Sequence, residues 1–129
     1  MQLKVEVSVG EVIDKITILE IKDQRIADPA KLANVRTELA TLNAALAEAL
    51  TPSAELDRLR SELFAINAAL WDIEDDIRTC EMAGDFGPRF IELARAVYVT
   101  NDRRANVKKQ INLAVGSRLV EEKSYAGSL

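Results

Sequence analysis

The chain has 129 residues with a net charge of −4, and 48% of its residues are apolar. This length fits a single domain with a real core, and this composition excludes both a disordered chain and a membrane-embedded one. The absence of histidine removes the commonest general base and the commonest metal ligand, so an enzyme of this sequence would depend on carboxylates, lysine, arginine or tyrosine.

The sequence favours a cytoplasmic protein. Its one cysteine cannot form an internal disulfide, and a reducing compartment is the default for such a chain. No apolar run approaches the roughly 18 residues that a transmembrane helix needs, and the N-terminus lacks the long apolar segment of a signal peptide. Acidic and basic residues are interspersed without a basic stripe, so we expect neither a nucleic-acid partner nor a membrane partner.

The N-terminal residues 3–7, LKVEV, alternate apolar and polar side chains, which predicts a short extended arm or one edge strand. Ser8 and Glu11 then have the spacing of a capping box, in which the serine hydroxyl accepts a hydrogen bond from the amide three residues later. A first helix is predicted to follow, at about residues 9–26.

Proline and glycine divide the rest of the chain. Asp28-Pro29, Thr51-Pro52 and Gly87-Pro88 each place proline where the first turn of a helix tolerates its missing N–H, and aspartate and threonine are also good N-cap residues. Gly84 and Gly116 each follow a long periodic segment, at the position where a left-handed glycine ends a helix. Four helices are therefore predicted, at about residues 9–26, 29–50, 53–83 and 88–115.

Apolar residues recur at alternating spacings of three and four, as on the buried stripe of a helix. Because the link at residues 49–53 is short, the second and third helices are expected to form an antiparallel αα-hairpin. The third helix carries the longest repeat, which predicts a narrow coiled-coil-like seam against the second helix. This seam comprises Leu56, Leu59, Leu63, Ile66, Leu70, Ile73, Ile77 and Cys80.

The predicted fold is all-α, an elongated antiparallel bundle of four helices, and residues 1–129 are expected to form one domain. A short extended arm precedes the bundle. A tail follows it from Gly116, and Leu119 and Val120 are the tail residues best suited to dock on the bundle.

A second stripe of polar and aromatic residues lies beside the seam of the third helix and faces a further helix rather than open water. The fourth helix has no large apolar side chain from Thr100 to Asn106. An antiparallel register places these polar residues and an acidic residue of the first helix at one level. The sequence therefore predicts a polar layer made of Glu20, Asn67, Trp71, Glu74, Arg78, Asn101, Asp102, Arg104 and Lys108.

Three interpretations of this polar layer remain open. In the first, it is a closed network that fixes the register of the helices, since buried polar groups must satisfy one another. In the second, it is a binding site in which Trp71 supplies apolar area and arginine and asparagine supply donors. In the third, it is an active site with Glu74 or Glu20 as acid or base and Arg104 or Lys108 as the electrostatic stabiliser.

Two classes of helical enzyme share short features with this chain. Glu11, Asp14 and the acidic run 74–76 loosely resemble the paired acidic motifs of magnesium-dependent nucleotide pyrophosphohydrolases. The start of the first helix, together with Arg25, resembles the first helix of all-helical chorismate mutases, which surround a dicarboxylate with cationic side chains. For Glu11 and Asp14, a solvated acidic first turn favoured by the helix dipole is the better explanation.

Four longer segments are distinctive: GEVIDKITILEIK, NAALWDIEDDIR, FIELARAVYVTNDRRANVKKQIN and GSRLVEEKSY. They resemble a bacterial family of small all-helical proteins described only as a domain of unknown function. The resemblance covers nearly the whole chain and implies a bacterial, all-helical protein. Because that family carries no known activity, the resemblance implies no functional residues.

Together these features favour a binding or protein-interaction module over an enzyme, with no cofactor and no bound metal. The expected partner is another protein or a small anionic ligand at the polar layer. Apolar surface along the ends of the long helices also makes a homodimer one expectation. Helix faces alone do not determine whether a groove opens beside Trp71, and that groove decides between a closed network and an open site.

Overall fold

The computed structural model describes residues 1–116 together with residues 122, 124 and 126. Within this part of the chain the secondary structure consists of α1 (Val9–Arg25), α2 (Pro29–Ala49), α3 (Ala54–Ala83) and α4 (Pro88–Val115). The all-α bundle is confirmed. The N-terminal residues 3–7 form no strand, and the side chains of this arm are exposed, Leu3 at 81% and Val5 at 74%.

Three helices, α1, α2 and α3, begin where a side chain satisfies one of the first amides, since these amides have no partner within the helix. Ser8 and Asp28 cap α1 and α2 as predicted. The prediction of Thr51 as the cap of α3 is wrong. The hydroxyl of Ser53 accepts a hydrogen bond from the Leu56 amide at 3.1 Å, because it stands at the three-residue spacing that capping requires, whereas Thr51 lies two residues too far away.

The two long helices end at glycine, as predicted. Gly84 has φ 67° and Gly116 has φ 69°, which is the left-handed region where a side chain would be strained. The predicted docking of Leu119 and Val120 lies outside the described residues. None of the helices in the described part of the chain combines the length and the hydropathy needed to cross a lipid bilayer.

α1 is the central helix, because it packs against α2, α3 and α4. The predicted hairpin between α2 and α3 is wrong, since no Cα atom of α2 lies within 8 Å of a Cα atom of α3. The link between them is extended at Leu50 and Ser53. Four extended residues span about 13 Å, which is enough for the chain to pass from the side of α1 that contacts α2 to the side that contacts α3. α2 therefore covers α1, and the seam of α3 faces α1 and α4.

The main core forms where this seam meets α1 and α4. Ile13 of α1, Leu59 and Leu63 of α3, and Ile111 of α4 are at most 1% exposed. Burying each of these side chains stabilises the fold by about 1.5–3 kcal/mol. The heptad pattern of α3 thus predicts which side chains are buried, although it does not predict which helices bury them.

α1 and α4 approach each other closely at Gly10. Its amide donates a hydrogen bond to Oδ1 of Asn112 at 2.6 Å. A Cβ atom at this position would lie 2.5 Å from the backbone oxygen of Lys108 and 2.9 Å from Oδ1 of Asn112. Real Cβ contacts are longer than this, so only glycine lets the start of α1 rest on the backbone of α4.

We expect Gly10→Ala to lower the free energy of unfolding by about 1–3 kcal/mol, because the added methyl group overpacks the contact with α4. In an uncrowded helix the same change raises stability by about 1 kcal/mol. Urea unfolding followed by circular dichroism measures the difference. A stabilised variant would show that the two helices do not touch here.

Candidate functional site

The carboxylate of Asp14 is buried at the contact between α1, α3 and α4, and the residue is only 1% exposed. Nε of Arg104 donates to its Oδ1 at 2.8 Å, and Nη2 of the same guanidinium donates to Oδ2. Nδ2 of Asn67 donates to Oδ1 at 2.9 Å. One carboxylate therefore ties together side chains from all three helices, with the two-pronged geometry that suits arginine.

Two further residues complete this arrangement. The hydroxyl of Thr17 accepts a hydrogen bond from Nδ2 of Asn67 at 2.9 Å and donates to the backbone oxygen of Asp14 at 2.7 Å. Nζ of Lys108 lies 2.8 Å from Oε2 of Glu11 and 3.9 Å from Oδ2 of Asp14. We call the five buried or half-buried residues on α1, α3 and α4 the Asp14 cluster: Asp14, Thr17, Asn67, Arg104 and Lys108.

The Asp14 cluster is closed within the described part of the chain. Its cations Arg104 and Lys108 face the carboxylates of Asp14 and Glu11. Among the described residues, no buried side-chain nitrogen or oxygen atom lacks a hydrogen-bond partner. Since a buried charge without a partner costs several kcal/mol, this closure is what allows the charges to remain inside.

A groove of about 480 Å³ opens beside the Asp14 cluster. It runs between the second half of α1 and the middle of α3, and α4 contributes one end. We call it the Trp71 groove. Its lining residues are Ile18, Ile21, Lys22, Asn67, Leu70, Trp71, Glu74, Asp75, Arg78, Asn101 and Arg104.

The lining combines an apolar surface with charges of both signs. Ile18, Ile21, Leu70 and Trp71 form the apolar part, while cations, carboxylates and two asparagine amides surround it. The guanidinium carbon of Arg25 lies 5.8 Å from the centroid of the Trp71 ring. Arg25 is itself held by Asp72, whose Oδ1 accepts a hydrogen bond from Nη1 at 2.6 Å. A cation stacked on the indole restricts the orientation of that ring.

The structure brings together six of the nine residues of the predicted polar layer. Each of the six lines the Trp71 groove: Asn67, Trp71, Glu74, Arg78, Asn101 and Arg104. Lys108 belongs to the Asp14 cluster instead. Asp102 is half-buried and does not line the groove.

Glu20 is not part of the layer. Its Oε1 pairs with Nη2 of Arg60 at 3.3 Å, in a separate groove of about 360 Å³ lined by Glu20, Asp57, Arg60, Ser61 and Phe64. Six residues of helix correspond to a rotation of 600°, so Glu20 projects about 120° away from Asp14. The sequence predicted it level with Asn67 to Leu70, but it lies on another side of α1, and its partner Arg60 is seven residues, about two turns, before Asn67 on α3.

Asp14 was assigned to a solvated first turn, and that assignment is wrong. It holds only for its neighbour Glu11, whose side chain is 52% exposed. The signal for Asp14 was its position in a stripe with spacings of four, three and four: Gly10, Asp14, Thr17 and Ile21. All four of these residues are buried. The sequence interpretation also missed five residues of the groove: Ile18, Ile21, Lys22, Leu70 and Asp75.

The described carboxylates do not assemble into the paired acidic motif or into the predicted acid–base pair. No three acidic or thiol side chains in the described ranges lie together in a way that could hold a metal ion. Glu20 and Glu74, the two candidate acid–base groups, line different grooves. The two carboxylates of the paired acidic motif already form ion pairs, Glu11 with Lys108 and Asp14 with Arg104.

Fold and site define a class: an all-α bundle in which a buried ion-pair cluster adjoins an open groove. The chain matches the family model described as "Family of unknown function (DUF6165)" over residues 3–129, and it belongs to that family. The resemblance to a family of unknown function is thereby confirmed. Neither the comparison with curated proteins nor the comparison with solved structures gave a match.

We expect Arg104→Ala to lower the free energy of unfolding by about 3–5 kcal/mol, because it leaves the buried carboxylate of Asp14 without its main partner. Arg103→Ala is the matched control, since Arg103 is the adjacent residue and is exposed. The control should change stability by less than about 0.5 kcal/mol. Equal losses for the two variants in urea unfolding would contradict a closed cluster.

Glu74→Ala should cost less than about 1 kcal/mol. Its side chain is 51% exposed, and its pairing with Arg78 is loose, at 3.8 Å within one helix. This separates the groove from the cluster, since a member of a closed buried network would cost several times more. The same unfolding measurement decides the point, and a loss of about 3 kcal/mol would place Glu74 in the network.

Proposed function

We propose that this protein is a binding module, and that the Trp71 groove takes a small organic anion which also carries a hydrogen-bond donor. The proposal rests mainly on one observation: an apolar groove of about 480 Å³ is bordered by lysine, arginine and asparagine side chains. Small-molecule sites have volumes of roughly 300–1,000 Å³ and combine apolar walls with a few polar groups.

The anionic group is suggested by Lys22. This half-buried residue lines the groove, and its side chain makes no hydrogen bond or ion pair within the described part of the chain. Arg78 lies on the same groove, and among the described residues its side chain has only the weak contact with Glu74. A carboxylate, sulfonate or phosphate group can therefore pair with these cations without first breaking a strong internal contact.

The donor group is suggested by Asn67. Its Nδ2 is used by Asp14 and Thr17, so the side chain offers a ligand only its carbonyl oxygen. That oxygen has no hydrogen-bond partner in the described chain, and it keeps some exposure to solvent. An acceptor held in place by the Asp14 cluster is pre-organised, so a ligand donor pays little entropy to use it.

The size of the groove favours a small molecule over a protein partner at this place. Protein interfaces of ordinary strength bury about 800 Å² on each partner and need a broad surface. The groove instead offers one aromatic ring among side chains of mixed charge. No comparable arrangement favours catalysis. The predicted acid–base pair was Glu74 and Glu20, and Glu20 lines a different groove.

Anilinonaphthalene sulfonate is a suitable probe, since it joins an apolar body, a sulfonate and an N–H donor. Trp71 is the only tryptophan, so energy transfer from the indole to the bound dye reports on this groove. We expect saturable quenching of Trp71 with one site per chain. Lys22→Ala should weaken binding about tenfold, which corresponds to about 1.4 kcal/mol.

Lys15→Ala is the control, because it removes the same charge from α1 at a position that pairs with Glu38 on α2. It should leave the affinity unchanged. Quenching that does not saturate, or an equal loss in both variants, would show that the dye does not bind in the groove. Circular dichroism confirms that the variants keep the helical content of the parent.

A further inference from the structure

The α3–α4 hairpin is longer than the helix that covers it. α1 has 17 residues, whereas α3 has 30 and α4 has 28. α1 ends at Arg25, which contacts Asp72 in the middle of α3. Among the described residues, the buried apolar side chains in the distal part of the hairpin are Cys80 and Leu93.

Large apolar side chains remain exposed on this part of the hairpin. Their exposed fractions are 81% for Met82, 55% for Phe86, 55% for Ile91, 56% for Tyr98 and 48% for Val99. Single exposed apolar residues are ordinary, whereas a contiguous apolar patch marks an interaction surface. Three of these five residues, Ile91, Tyr98 and Val99, belong to α4.

Six residues on the side of α4 that faces away from Leu93 and Thr100 form a continuous shallow concavity of about 520 Å³. We call it the α4 outer face. It consists of Pro88, Ile91, Glu92, Arg95, Ala96 and Val99. Their spacing of three and four residues is that of a helix-packing stripe, and Ala96 leaves room for a second helix to approach.

The charged residues of the α4 outer face are the second observation that indicates an interaction surface. Arg95 lies between Ile91 and Val99, and its side chain makes no hydrogen bond or ion pair within the described residues. Glu92 has only a weak contact with Arg89 of its own helix, at 3.7 Å. The α4 outer face thus carries one cation and one carboxylate one helical turn apart, inside an apolar stripe.

We propose that the α4 outer face binds a second copy of this chain. Two α4 helices packed antiparallel about a two-fold axis between Leu93 and Ala94 place Glu92 of each opposite Arg95 of the other. The same register places Ile91 opposite Ala96 and Pro88 opposite Val99. Large side chains then meet small or flat ones, and each ion pair occurs twice by symmetry.

This register makes the surface self-complementary, which is the requirement for an isologous dimer. If the two-fold axis is moved toward the C-terminus until it passes Arg95, the two copies of Arg95 face each other. If it is moved toward the N-terminus until it passes Glu92, the two copies of Glu92 face each other. Like charges that face each other weaken an interface, so the charge pattern selects one alignment. The proposal is independent of the Trp71 groove, because none of the six residues of the α4 outer face lines that groove.

Sedimentation equilibrium of the full chain tests the proposal. The unmodified protein should be a dimer, and Arg95→Glu should raise the dimer Kd at least about tenfold, because two carboxylate pairs then face each other. The double variant Glu92→Arg/Arg95→Glu should restore the Kd to within about threefold of the parent, since the pairs re-form with their signs exchanged.

Arg103→Glu is the matched control. It makes the same charge change on an exposed residue of α4 outside the outer face, and it should leave the Kd unchanged. Restoration by the double variant distinguishes a specific register from a general effect of net charge. An unmodified protein that stays monomeric, an Arg95→Glu variant that dimerises as well as the parent, or a double variant that fails to recover would each overturn the proposal.

Discussion

The buried carboxylate of Asp14 is the constraint on which the rest of the structure depends. It is nearly inaccessible to water and is held by Arg104 from α4 and Asn67 from α3. A buried charge in this position is stable only when all of its partners are in place. The mutual register of the three helices is therefore linked to this one carboxylate. Gly10 permits this geometry one turn earlier, because it lets α1 rest against the backbone of α4.

The same arrangement explains why a groove lies beside a closed cluster. The Asp14 cluster uses the amide nitrogen of Asn67 and part of the guanidinium of Arg104, and both residues also line the Trp71 groove. Groups that a closed network holds rigid are good ligand contacts, since little freedom is lost when a ligand binds. The structural and the binding interpretations of the polar layer are thus compatible, because they describe two sides of the same residues.

Much of this was accessible from sequence. Proline and glycine mark the helix ends because their backbone preferences are local, and the antiparallel register correctly placed Asn67 level with Arg104. The partner of α2 was not accessible, because periodicity identifies a buried face without identifying the helix that covers it. Asp14 and Glu20 were misassigned for a related reason, since the side of α1 that each faces depends on where α3 and α4 lie.

A double-mutant cycle on Asp14 and Arg104 tests the central claim most directly. The free energies of unfolding of Asp14→Ala, Arg104→Ala and the double variant are compared with that of the parent. A linked pair predicts that the double variant loses about 2–3 kcal/mol less than the sum of the single losses, because each single change strands the other group. Losses that add to within about 0.5 kcal/mol would contradict a structure organised around this carboxylate.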